Sequence, residues 1–222
     1  RPDKLMPGTV RVISFRMNYL KDNTYDSKNV LKDKNLGYIS RYALGKDYHS
    51  EMRDRLHKIA KKINNEVKDF KYRAFVDSAP VLEKAIGQKA GLGWIGKNTI
   101  LINKKNGSYF FLGEIYTNIN FEIDKKSKNF CGDCSECIKI CPTNAIIGPN
   151  VLDAKKCIAY LTIELKGTIP EKYRDSIGNR IFGCDDCQLV CPWNRFSTET
   201  RIEEFSHKHE LDSPTLISLF KW

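Results

Sequence analysis

Cys131-Gly-Asp-Cys134-Ser-Glu-Cys137-Ile-Lys-Ile-Cys141-Pro142 is the stretch that decides how this chain is read. Its four cysteines stand two, two and three residues apart, and a proline follows the last. Three thiolates on one tight loop can take three corners of a cubic 4Fe–4S core, while the fourth is carried by the turn that the proline enforces. In chains that hold two such cores the fourth cysteine serves the other core. The run therefore predicts a partner.

The partner is Cys184-Asp-Asp-Cys187-Gln-Leu-Val-Cys191-Pro192, which has Ile181 where a complete copy needs a cysteine. Among the eight cysteines of the chain, Cys157 is left to fill that place. With the fourth positions exchanged, one 4Fe–4S cluster takes Cys131, Cys134, Cys137 and Cys191, and the other takes Cys141, Cys157, Cys184 and Cys187. Two zinc sites of four cysteines each are the competing assignment. Zinc asks for neither this rhythm nor a proline after each fourth cysteine. Disulfides fit less well, because no signal peptide is visible and closely spaced cysteines then favour metal.

Outward from the cysteines, 222 residues suffice for one large domain or two small ones. A hydrophobic fraction of 41 % supports a buried core, and no apolar run approaches a membrane span. The expectation is a soluble, cytoplasmic protein without a membrane partner. The chain begins at Arg1 and stops at Trp222 inside an apolar stretch, which predicts a piece of something longer. Its net charge of +10 is uneven: residues 1–130 hold 26 Lys and Arg against 14 Asp and Glu, and residues 131–222 hold 11 against 13. A basic front half suggests a polyanionic partner; a lysine-rich, merely solvated surface is the alternative.

In chain order, Val10 to Phe15 predicts a buried strand and residues 18–36 a polar surface loop. Met52, Leu56, Ile59, Ile63 and Val67 recur at helical spacing, with Ser50 as the expected N-cap. Phe70 to Val76 predicts a strand that delivers Asp77. Asp77-Ser-Ala-Pro80 then reads as a helix entrance, and the helix would run through Leu82, Ala85 and Ile86 to a C-cap at Gly91. Asn106-Gly107 predicts a hairpin between Thr99–Ile102 and Ser108–Ile115. Lys125 to Asn129 is a charged linker. Beyond it, Asp153 can cap a helix that carries Cys157 and buries Ile158, Leu161 and Leu165. The fold class expected is α+β / α/β: a mixed α/β catalytic domain over residues 1–125, a bacterial-type two-cluster ferredoxin-like domain over 126–205, and the start of a helical region over 206–222.

Two clusters make an electron wire, and a wire needs a terminus. A free-standing carrier would be short, whereas here some 130 residues precede the first cysteine. Asp77 is the best acid candidate, placed at a strand-to-helix junction where open α/β sheets gather ligands; on local sequence alone a plain N-cap is the first reading of it. His49 is a ligand contact or a hydrogen-bonded structural residue. The glycines at 91, 93 and 96 match neither a dinucleotide fingerprint nor a P-loop.

Asp77-Ser-Ala-Pro-Val-Leu-Glu83, Ala90-Gly-Leu-Gly-Trp-Ile-Gly-Lys-Asn98, Gly107-Ser-Tyr-Phe-Phe-Leu-Gly-Glu-Ile115 and both cysteine runs resemble epoxyqueuosine reductase, with residues 18–36 as the main divergence. Ferredoxins alone lack the Asp77 and Trp94 segments, and reductive dehalogenases are expected to carry different front motifs and an export signal. The resemblance implies a cobalamin-dependent oxidoreductase with two 4Fe–4S clusters, fed by an external low-potential electron donor. It implies reduction of epoxyqueuosine to queuosine at the tRNA wobble position by a monomer. It assigns Asp77 as proton donor, and Ser40, His49, Asp77, Leu101 and Leu112 to the cobalamin pocket. Asp47-Tyr-His49 does not complete a histidine cobalt-ligand motif, since Met52 stands where that motif has glycine. The basic front half becomes the tRNA face, with the modified base turned out into the pocket. Two other readings remain: a ferredoxin-like module serving another reductase, and a nucleic-acid-binding protein with structural metal.

Overall fold

The computed structural model describes residues 2–22, 24–77 and 79–221. Arg1 and Trp222, Asn23 of the expected loop, and Ser78 of the expected helix entrance lie outside them. After a short helix α1 (Pro2–Leu5), the chain forms β1 (Arg11–Asn18), α2 (Ser27–Lys32), β2 (Tyr38–Ile39), α3 (Tyr48–Glu66), β3 (Tyr72–Phe75), α4 (Glu83–Lys89), β4 (Trp94–Ile95), β5 (Leu101–Ile102) and β6 (Phe110–Thr117). The cysteine half adds α5 (Glu136–Ile140), β7 (Ile146–Gly148), β8 (Val151–Leu152), α6 (Glu171–Ile177), β9 (Arg180–Phe182), α7 (Asp186–Leu189) and, last, α8 (Leu216–Phe220).

The central sheet has three antiparallel strands in the order β1-β6-β3. Alternation along β1 and β6 sets two faces. Ile13, Phe15 and Met17 stand opposite Ile115, Gly113 and Phe111 and pack with Met52, Leu56 and Ala60 of α3. Gly113 makes that packing possible, because a Cβ there would sit 2.9 Å from Met52 Cε and 3.0 Å from Leu56 Cδ1. Burying a side chain such as Leu56 fully is worth roughly 1.5–3 kcal/mol. The other face, with Ser14 opposite Glu114, lies towards α4. Gly87 of α4 approaches there so closely that a Cβ would meet Leu101 at 2.9 Å.

Several expectations are corrected. Residues 18–36 are not all loop: Asp26 caps α2 by accepting from the amides of Lys28 and Asn29, and Val30 is fully buried. Asp47, not Ser50, is the N-cap of α3. Ile59 is 37 % exposed and Ala60 takes its place in the core, because the helical period drifts off a strict heptad. Helix α4 begins at Glu83, so Asp77 is not its N-cap, and Leu82 is 78 % exposed. The hairpin reduces to the bridge Asn103–Gly107: β5 pairs with β4, and β6 with β1 and β3. The helix around Cys157 is a short 3₁₀ turn capped by Asp153, followed by a π-helix over Tyr160–Glu164, with Ile158 and Leu161 buried and Leu165 packed beside them. The sheet around Asp77 is antiparallel, so the strand-end argument drawn from parallel sheets does not apply to it.

The position between residues 125 and 126, expected as a border, is bridged by paired structure. Strand β2 runs parallel to β9. The buried Asp185 accepts from Tyr38 Oη at 2.7 Å, Ser40 Oγ at 2.5 Å and the Arg41 amide at 2.8 Å. Among the described residues no helix is long and apolar enough to cross a membrane.

Candidate active site and thiol centres

Asp77 lies just past β3 with φ at +26°, a left-handed conformation that L residues adopt only under restraint. Two neighbours hold its side chain. Tyr48 Oη donates to Oδ2 over 2.9 Å, and His49 Nε2 stands 3.5 Å from the same oxygen. Both come from the first turn of α3. The Tyr48 ring is stacked on Phe111 at 3.8 Å and on the His49 ring at 4.1 Å. His49 Nδ1 meets Asp47 Oδ1 at 2.6 Å, and the same oxygen accepts the His49 amide over 2.9 Å. Those bonds hold the Asp47 carboxyl below its ordinary range. Burial, then the charge of Asp77, pushes the Tyr48 phenol far up, so it remains a donor.

Asp77, Tyr48 and Glu83 open onto a cleft of about 180 Å³ floored by Ile100, Leu101, Phe110 and Leu112. The structure thus brings together three of the expected pocket residues, Asp77, Leu101 and Leu112, and places His49 against Asp77. Ser40 is not among the residues lining this cleft; its hydroxyl is committed to Asp185. Ser108 lines the cleft as well and ties it to the cysteine half. Gln188 Nε2 donates to Ser108 Oγ over 3.0 Å, and the Ser108 amide donates to Asn194 Oδ1 over 2.7 Å. Asn98 adds a long contact of 3.5 Å to the carbonyl of Cys187.

Cys131, Cys134, Cys137 and Cys191 line one cavity of about 210 Å³, closed by Phe130, Trp193 and Ile102. Trp94, packed edge-on against Phe130 and Trp193, donates its indole N–H to Cys131 Sγ at 3.3 Å. Burial, then the charges of Cys131, Cys191 and Cys134, raises the Cys137 thiol. Burial, then the charges of Asp185, Cys157, Cys137 and Cys141, raises the Cys187 thiol, and burial with Asp186 raises that of Cys184. The Ala145 amide donates to Cys141 Sγ over 3.2 Å. Among the described residues no three His, Cys, Asp or Glu side chains close on a single-ion site.

Tyr48, Glu83 and Glu114 escaped the reading of the sequence as site residues. The available signal was Glu114 itself, the one acid inside an otherwise uncharged strand.

Against known proteins, residues 130–194 match the family described as a 4Fe-4S double cluster binding domain, and residues 1–78 that described as Epoxyqueuosine reductase QueG, DUF1730. The epoxyqueuosine reductase of Xanthomonas campestris pv. campestris is 55 % identical over all of this chain and 62 % of its own length. That of Escherichia coli (strain K12) is 52 % identical over all of this chain and 58 % of its own. The chain thus spans about three fifths of these relatives. A crystal structure of epoxyqueuosine reductase with an epoxyqueuosine-modified tRNA-Tyr stem loop superposes with a TM-score of 0.88 at 32 % identity, covering 98 % of this chain and 57 % of that one. The Bacillus subtilis enzyme, solved with its catalytic aspartate loop swung out of the active site, gives 0.89 at 31 % identity over 100 % of this chain and 58 % of that one. A reductive dehalogenase shares the fold at 17 % identity, with a TM-score of 0.53 over 87 % of this chain and 27 % of that one.

Proposed function

Along its whole length this chain belongs to the epoxyqueuosine reductase family, and from that premise we propose that it reduces epoxyqueuosine to queuosine in the wobble position of tRNA. The observation that carries the reading is the placement of Asp77. Its carboxyl is held between Tyr48 and His49 at an apolar cleft whose Ser108 is hydrogen-bonded to Gln188, the residue after Cys187. Epoxide, two electrons and two protons give alkene and water. Asp77 gives a proton to the departing oxygen. Tyr48 and His49 both contact Oδ2, which leaves Oδ1 to carry the proton.

The residues present fit the cofactors. Four thiols facing one cavity suit a cluster, which is larger than an ion, and the matched double-cluster family supports two of them. Cys131, Cys134, Cys137 and Cys191 would hold the first, and Cys141, Cys157, Cys184 and Cys187 the second. Leu101 and Leu112, which line the cleft beside Asp77, would face cobalamin there, with His49 behind Asp77 and Ser40, bonded to Asp185, farther out in its surroundings. Bound there, cobalamin would supply the reducing metal centre next to the acid. The remaining parts of this reading are an external low-potential donor, tRNA seated on the basic front half, and a cytoplasmic monomer.

The test is anaerobic turnover. The cluster-loaded chain is given cobalamin, a low-potential reductant and tRNA carrying epoxyqueuosine, and the nucleosides are weighed. A product lighter by one oxygen supports the proposal. Unchanged nucleoside, with clusters reduced and cobalamin bound, would favour the electron-carrier reading instead.

A further inference from the structure

Glu114 stands in the middle of β6 with no solvent exposure. Its Oε1 accepts from Ser14 Oγ of β1 over 3.3 Å, while its buried Oε2 has no hydrogen-bond partner. The element covering this face is α4, and the group it presents is another carboxyl, Glu83. Burial pushes Glu114 up to about 8 and Glu83 up to about 7, with the charge of Glu83 adding to the rise on Glu114 and that of Asp77 to the rise on Glu83. The other groups around the pair are Phe75 across from Glu114 on β3, Tyr116 along β6, and His49, which acts on Glu83 from α3.

Two ionised carboxylates offer each other acceptors alone. A proton on Glu114 Oε2 turns that buried orphan into a donor towards Glu83. Glu83 stays ionised and keeps its other contact: its Oε1 accepts the Asp77 backbone N–H over 2.7 Å. That bond restrains the turn in which Asp77 adopts its left-handed φ.

We propose that Glu83 and Glu114 share a single proton, and that the pair is a positioning device which latches the Asp77 turn against the cleft through the Asp77 amide. The existence of the pair is independent of the reaction. Its use, to keep the acid aimed at substrate until a second proton or the loss of the first loosens the latch, rests on the reading of Asp77 given above.

The test needs neither tRNA nor cobalamin, so its failure is distinct from failure of the assigned activity. Infrared pH-difference spectra of the cluster-loaded chain report protonated carboxyls. The expected result is one carboxyl still protonated at neutral pH that titrates between about pH 7 and 8, retained in Asp77→Asn, lost in Glu114→Gln, and moved to lower pH in Glu83→Gln, which removes the neighbouring charge but not the burial. Hydrogen exchange over residues 76–82 reads the latch. Glu83→Ala should speed exchange of the Asp77 amide at least about tenfold, while Glu83→Gln, which keeps an acceptor, should change it far less. Absence of any carboxyl titrating above about pH 6, its survival in Glu114→Gln, an unshifted titration in Glu83→Gln, or unchanged exchange in Glu83→Ala would overturn the proposal.

Discussion

The indole N–H of Trp94 donates to Sγ of Cys131 over 3.3 Å, a bond from the front half of the chain to the first thiol of the cysteine run. Trp94 is itself almost fully buried and pairs, through β4, with β5, whose Leu101 lines the cleft. One rigid element therefore touches both the thiol cavity and the cleft.

Hydrogen bonds to cluster sulfurs help set the reduction potential, because they favour the more negative, reduced state. Trp94→Phe keeps the ring and removes the donor. The potential of the cluster held by Cys131 should move negative by some tens of millivolts, where about 59 mV is a tenfold change in a one-electron equilibrium. Redox titration followed by electron paramagnetic resonance measures it.

Asp77→Asn removes the acid while keeping the shape. Turnover should fall by roughly 10²–10⁴, with the visible spectrum and iron content unchanged. Tyr48→Phe should lower turnover less, since it loosens the carboxyl without deleting it. Single-turnover rates at fixed pH separate the two.

Asp185→Ala strands Tyr38 Oη, Ser40 Oγ and the Arg41 amide in a buried site. Each orphaned group costs about 1–3 kcal/mol. The sum is a large share of a domain's stability, so the variant should melt far below the parent chain or fail to fold. Asp185→Asn, which can still accept, should lose less.

The carboxyl pair also gives stability a pH slope. Folding raises Glu114 to about 8 and Glu83 to about 7 from an ordinary value of 4.5. Between those limits the folded state holds protons that the unfolded chain has released. Stability is therefore fully present at the acid end of that window and is lost as pH rises towards 8, by about 1.4 kcal/mol per pH unit for each proton held. Urea midpoints at pH 5 should exceed those at pH 8, and Glu114→Gln should flatten the trend.

What the sequence made legible was whatever local spacing encodes. The cysteine rhythm pointed to a double-cluster domain, as the family match over residues 130–194 bears out, and the period of Met52 and Leu56 announced α3. Its failures share one physical cause, which is that tertiary pairing decides them. Asn103 and Gly107 do make a tight bridge around Asn106, yet β5 and β6 find other partners because β1 and β3 flank β6 on both edges. Asp77 looked like a cap, but the helix starts six residues later and the turn is held by Glu83 instead. Ser40 is fixed by Asp185, 145 residues along the chain, a distance over which no local pattern carries information.

Cys157 is the cysteine whose assignment rests on elimination rather than on a complete run. Cys157→Ser should lower iron from about eight to about four per chain, while a control at a non-ligating position should not.

The proposed function requires one chain to hold two four-iron clusters beside a cleft that takes cobalamin. Iron, sulfide, zinc and cobalt counted per chain, on protein purified without oxygen and supplied with cobalamin, test it most directly. About eight irons, matching sulfide, and one cobalt are expected. Zinc in place of iron, or a full complement of iron with no cobalt retained, would contradict it.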